Sequence, residues 1–258
     1  MVPPSSLTIR ATTAKPRPVP ASGPVVVAPN HPNSLVDPLV VGLATPRRIH
    51  FVAKHTLFRF PLKLLLDWAG MIPVRRRQDA GTDGEANRQA GNLQTFEAAF
   101  AVLEQGGILG IFPEGITHDA PRLATIKTGP ARIALGAEER HGFTLGVILL
   151  PVGLYFPRKA SFRSDAVVVV GEPIRMAEWK ERHRADPRQA VQALTELLET
   201  RLKSLLPQLS DEDQLLAQSV LEIYADRLPP PVGPAGASGA ALELEHVKQV
   251  AAAIQRVR

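Results

Sequence analysis

The feature that most constrains this chain is a set of short apolar runs with no polar alternation. Residues 24–28 (PVVVA), 108–112 (ILGIF), 147–156 (VILLPVGLYF) and 166–170 (AVVVV) are the clearest. A strand with one face in water alternates apolar and polar side chains, so runs like these belong to a sheet covered on both faces. The stretches between them change period. Leu93, Phe96, Phe100 and Leu103 share one face of a predicted helix over residues 84–105, closed by Gly106-Gly107. Strands alternating with helices predict an α/β fold, its sheet covered by helices on both faces. Further strands are predicted at 6–11, 50–53 and 71–75, and helices at 38–43, 57–69 and 127–139, with one or two helices within 176–206. The texture shifts after residue 206: a helix over 211–228, a Pro/Gly-rich linker at 229–239, and a last helix over 240–258. The predicted organisation is one domain over residues 1–206 and a helical C-terminal extension over 207–258, with no internal repeat.

What the chain lacks narrows its chemistry. It has no cysteine, which excludes disulfide scaffolds, thiolate zinc sites, iron–sulfur clusters and a cysteine nucleophile. Its seven histidines show no metal-ligand spacing. There is no G-x-S-x-G elbow, Walker loop, G-x-G-x-x-G or H-E-x-x-H. A net charge of +5 and a pI near 9.8 suit anionic partners such as phosphate substrates or an acidic membrane surface. With only 5% aromatic residues the chain is poorly supplied for base stacking, and nucleic acid is not an expected partner. No apolar stretch reaches the ~20 residues of a transmembrane helix, and residues 1–20 hold no signal-peptide core. Residues 57–69 place Leu57, Phe58, Phe60, Leu64, Leu65 and Trp68 among Arg59 and Lys63. That helix either lies in a membrane interface, lines a channel for an apolar chain, or packs on the core.

Four polar clusters stand at or within predicted strand ends, where open α/β sheets put their sites. The first is NHPNSLVD, residues 30–37. A histidine paired with a carboxylate makes a general base, the acid fixing the tautomer and steadying the imidazolium. Alternatively Asp37-Pro38 is a helix N-cap with proline at the first position, and His31 a turn residue. The second is GMIPVRRR, residues 70–77, whose arginines either offer forked donors to a phosphate or form a solvated basic edge. The third, FPEGITHD at 112–119, presents Glu114 from a tight Pro-Glu-Gly turn, and the fourth, LPVGLYF at 150–156, puts Pro151 inside an apolar run, as an edge strand or a bulge would.

Taken in order, the four blocks resemble those of the glycerolipid acyltransferases, the family of glycerol-3-phosphate and 1-acylglycerol-3-phosphate (lysophosphatidate) acyltransferases. The resemblance covers roughly residues 23–174, including Lys127-Thr128-Gly129 and Gly171-Glu172-Pro173-Ile174. It implies an O-acyltransferase of phospholipid synthesis that moves a fatty acyl group from acyl-CoA or acyl-carrier protein to a glycerol-phosphate hydroxyl. The thioester is a co-substrate, and neither a cofactor nor a metal is implied. His31 matches the base and Asp37 its orienting acid. Arg75 matches a phosphate-binding arginine beside Arg77, Glu114 and Gly115 match the acceptor-binding block, and Pro151 lies in the block that shapes the donor site. Two features depart from the family pattern. Five residues separate His31 from Asp37 instead of four, which puts Val36 in the usual aspartate register. The arginine that commonly follows Glu-Gly is absent, leaving His118 or Lys127 as phosphate contacts. The implied setting is cytoplasmic, peripheral to the cytoplasmic membrane face. The rival functions are acyl transfer to another lysophospholipid, transacylation, and a non-catalytic lipid- or membrane-binding protein of the same fold.

Overall fold

The computed structural model of the protein describes residues 11–13, 19–34, 36–55, 64, 66, 70–74, 85–117, 122–157, 165–224 and 239–257. The strands are β1 (Ala11–Thr13), β2 (Val25–Pro29), β3 (Ile49–Lys54), β4 (Ile72–Val74), β5 (Ile108–Gly110), β6 (Ile148–Tyr155), β7 (Ala166–Val170) and β8 (Ile174–Arg175). The helices are α1 (Val36–Leu43), α2 (Glu85–Glu104), α3 (Gly129–Arg140), α4 (Lys180–Ala185), α5 (Pro187–Leu205), α6 (Asp211–Tyr224) and α7 (Gly239–Val257), with a 3₁₀ turn at Met176–Trp179. The strands form one mixed sheet in the order β1-β7-β6-β2-β5-β3-β4, with β8 also paired to β6. From β6 through β2, β5 and β3 to β4 every pairing is parallel. β7 and β8 run antiparallel to β6, and β1 is parallel to β7.

Both faces of the sheet are covered, as the unbroken valine runs require. In β2, Val26 and Ala28 join α2, α3 and α5 in one core cluster, which includes Leu103, Ala134, Leu135 and Leu198. Val25 and Val27 point the other way and pack with Val40 and Val41 of α1. The period of two therefore sends alternate β2 residues into separate cores. α7 covers the outer strands through Ala240, Ala241 and Leu244 against Val167 and Val169. Tyr155, at the end of β6, is pushed above its ordinary pKa by burial there and by the charge of Glu243 on α7.

Two expectations are refined. The helical stretch 176–206 breaks at Asp186-Pro187, where Asp186 caps α5 by accepting the N–H groups of Arg188 and Gln189. Pro151 does not mark an edge strand: β6 lies between β2 and β7. It sits where the partner of β6 changes, after the β8 pairing at Ile148–Leu149 and before the β7 pairing that starts at Val152. No ladder donor is needed at that break, and the Pro151 carbonyl accepts the N–H of Gly171 at 2.9 Å. Within the predicted helix 57–69 only two residues are described, Leu64 exposed and Leu66 buried.

Candidate active site

The site lies where two neighbouring strands send their chains to opposite faces. β2 leads into α1 on one face of the sheet, and its parallel neighbour β5 leads into α3 on the other. Such divergence opens a crevice at the carboxyl ends of the strands. His31 enters it two residues beyond β2, and the Phe112-Pro113-Glu114-Gly115 turn enters it just beyond β5.

His31 is held from four sides. Asn30, directly before it, is buried with its side chain clamped on β6: its Nδ2 donates to the Leu154 carbonyl at 3.1 Å and its Oδ1 accepts the Leu154 N–H at 2.6 Å. The His31 backbone N–H donates to Glu114 Oε1 at 2.8 Å. The His31 ring stacks on Phe112 with centroids 4.0 Å apart and planes 18° apart. Its Nδ1 lies 2.8 Å from Asp37 Oδ2. A carboxylate there can only accept, so Nδ1 carries the proton and Nε2 keeps its lone pair for use as a base. The imidazole retains 14% exposure, while Asp37 has none.

The additional residue between His31 and Asp37 is absorbed by a turn. Ser34 takes a left-handed φ of +46°, and the Val36 N–H closes on the Asn33 carbonyl at 3.0 Å. Asp37 then falls in the first turn of α1, not at its cap, with its carboxylate turned back toward the loop. Oδ2 also accepts the Asn33 N–H at 2.8 Å, which ties the turn to the same oxygen that orients His31. The capping alternative is not realised: Asp37 Oδ2 accepts from His31 and from the Asn33 N–H ahead of the helix, and neither donor is an N–H of the first helical turn.

Phe112 is itself backed by Phe51 of β3, with ring centroids 5.6 Å apart. That close packing depends on a glycine in β5, because a Cβ at Gly110 would lie 2.4 Å from Phe51 ring carbons. In the third block, Glu114 is 2% exposed and its second oxygen accepts the Ala124 N–H at 2.8 Å. Gly115 has a φ of +67°, and the side chain of Lys127 lies across it: a Cβ there would sit 2.8 Å from Lys127 Nζ. The Lys127 N–H is anchored on the Pro113 carbonyl at 2.8 Å. The exposed Lys127 side chain thus sets its ammonium beside the turn that also carries Glu114.

The structure brings together His31, Asp37, Glu114, Gly115 and Lys127. Pro151 does not join them; it is buried within β6, where its ring packs close to Gly171. Arg75, Arg77 and His118 lie outside the described residues. Sequence inspection missed Asn30 and Phe112 as parts of the site. Both sit inside quoted blocks, but an asparagine before a histidine and a phenylalanine ending an apolar run signal only a turn and a core residue. Among the described residues there is no His/Asp/Glu group arranged to hold a metal ion.

Residues 10–155, more than half of the chain, match the model of the Acyltransferase family. The chain belongs to that family. Within it, "Glycerol-3-phosphate O-acyltransferase 2" of Saccharomyces cerevisiae is 36% identical over 156 residues, covering 58% of this chain and 21% of the yeast protein. "1-acyl-sn-glycerol-3-phosphate acyltransferase" of Borreliella burgdorferi is 29% identical over 138 residues, covering 53% of this chain and 48% of that protein. This acyltransferase-family chain thus spans half or less of the curated relatives it matches. The crystal structure of the 1-acyl-sn-glycerophosphate (LPA) acyltransferase PlsC from Thermotoga maritima superposes with a TM-score of 0.48 and 18% identity, over 76% of this chain and 74% of that one.

Proposed function

We propose that this acyltransferase-family protein transfers a fatty acyl group from a thioester, acyl-CoA or acyl-carrier protein, to a hydroxyl of glycerol 3-phosphate or lysophosphatidate. The observation that carries the proposal is the buried Asp37 oriented on His31 Nδ1 at the mouth of the strand crevice. His31 Nε2 takes the proton of the acceptor hydroxyl as its oxygen attacks the thioester carbonyl. The tetrahedral intermediate then expels the thiolate, which recovers that proton from the imidazolium. No covalent enzyme intermediate forms, which is compatible with a chain that contains no cysteine. Asp37 stabilises the imidazolium through the step and releases no proton of its own.

Lys127, whose ammonium lies over Gly115, is proposed to meet the acceptor phosphate. It stands in for the arginine that the family pattern places after Glu-Gly. Arg75, Arg77 and His118 are proposed as further cations from their places in the matched blocks. The names of the yeast and Borreliella relatives supply the two acceptor classes. Because acceptor or product is a lipid, the protein is proposed to work at a membrane surface on the cytoplasmic side. No helix among the described residues is long and apolar enough to cross a membrane.

The test is acceptor-dependent release of thiol from palmitoyl-CoA, with glycerol 3-phosphate, lysophosphatidate and other lysophospholipids as acceptors. The protein contributes no thiol background. Release that requires a glycerol-phosphate acceptor, with the matching acylated product, is the expected result. Release with another lysophospholipid alone would reassign the acceptor. No transfer with any acceptor, from CoA or carrier-protein donors, would leave a lipid-binding protein of this fold.

A further inference from the structure

We infer that Glu114 is a positioning residue for His31 and not a ligand of the acceptor, an inference that rests on the acyltransferase function proposed above. A carboxylate that holds a substrate hydroxyl must present an oxygen to the crevice. Glu114 is 2% exposed, and both of its oxygens take backbone N–H donors, Oε1 from His31 and Oε2 from Ala124, each at 2.8 Å. A negative side chain directed at a phosphate-bearing acceptor would also oppose binding electrostatically.

These two donors show what the carboxylate holds on the protein's own backbone. One is the peptide N–H of the base itself. The other lies three residues before Lys127, in the segment that returns over the Glu114 turn. Lys127 has its own backbone anchor on the Pro113 carbonyl, which does not depend on the Glu114 side chain. Removing the carboxylate therefore frees the His31 backbone first and leaves the ammonium close to its place. The ring contacts with Asp37 and Phe112 remain, but the peptide that carries the ring loses its charge-assisted partner. A catalytic group displaced by about 1 Å can cost on the order of 10²-fold in rate.

The geometry makes conservative replacements informative. Glutamine keeps the length, but its amide offers one oxygen to two N–H donors and sets an NH₂ against one of them. Aspartate keeps the charge but is one methylene too short to reach both donors. The experiment uses the full chain with Glu114→Gln and Glu114→Asp, with palmitoyl-CoA and glycerol 3-phosphate or lysophosphatidate. Amide hydrogen exchange is followed in peptides spanning residues 29–34 and 122–127. The expected result for both variants is a kcat lowered about ten- to a hundredfold, with acceptor KM within about threefold of wild type. Exchange should be faster in both peptides. An acceptor KM raised tenfold or more, with kcat and exchange unchanged, would overturn the inference in favour of a direct contact. Wild-type rate and exchange in both variants would overturn it as well. Should the glutamine variant fail to fold, the aspartate variant decides alone. A wild type inactive on every acceptor would sink the proposed function, and the exchange comparison would still decide whether Glu114 holds His31.

Discussion

Asp37→Asn separates the electrostatic role of this carboxylate from its structural one. The side chain is fully buried, and Oδ2 accepts two donors at 2.8 Å, His31 Nδ1 and the Asn33 N–H. An asparagine carbonyl in the place of Oδ2 keeps both hydrogen bonds. Its NH₂ takes the place of Oδ1, which is buried and has no hydrogen-bond partner among the described residues. One polar atom is unsatisfied before and after the change, so the turn should survive. The stability cost should be about 1 kcal/mol, a drop of roughly 2–4 °C in Tm for a domain of this size. What disappears is the negative charge that meets the imidazolium when His31 accepts a proton. Unit charges ~4 Å apart at an effective dielectric of ~20 interact by about 4 kcal/mol, and the amide dipole retains part of that. The loss in the transition state should then be about 2–4 kcal/mol, or roughly thirtyfold to a thousandfold in kcat. The assay is release of CoA thiol followed with a chromogenic thiol reagent at saturating acceptor, with Tm recorded in parallel. Turnover within about threefold of wild type would refute the argument and reduce Asp37 to a staple for the Asn33–Val36 turn.

Other outcomes follow from the same geometry. His31→Ala removes the base from a partly exposed position and should lower kcat by ~10²–10⁴ with a folded product, checked by circular dichroism and thiol release. Lys127→Gln should raise acceptor KM about tenfold or more, with donor KM little changed, if the ammonium over Gly115 binds the phosphate. Gly115→Ala should move in the same direction, since a Cβ at φ +67° is both strained and 2.8 Å from Lys127 Nζ, and the lysine tip yields more readily than the backbone. Gly110→Ala drives a methyl into the Phe51 ring, from 2.4 Å, and should destabilise by about 1–3 kcal/mol, read as a lowered Tm.

Much of the architecture was legible in the sequence because it rests on local patterns. Runs of Val and Ile dictated buried strands, and the 3.6-residue period dictated helices, so β2, β6, β7 and α2 fall within a residue or two of where the pattern placed them. The four blocks likewise carried the family. Strand order was not legible: β5 pairs between β2 and β3 although a long helix separates it from β3 in the chain, and only the assembled sheet brings Phe112 and Glu114 beside His31. Nor did the sequence settle whether a five-residue gap lets Asp37 reach His31. That depended on a left-handed Ser34 and a turn closed on Asn33, a backbone choice that neither side-chain pattern nor propensity announces. The hydrogen-bond partners of Glu114 were not legible for a related reason. Its type and spacing match a substrate-binding block, but what a carboxylate touches is fixed by which backbone N–H groups the tertiary fold delivers to it. Here they are those of His31, 83 residues earlier in the chain, and Ala124, 10 residues later.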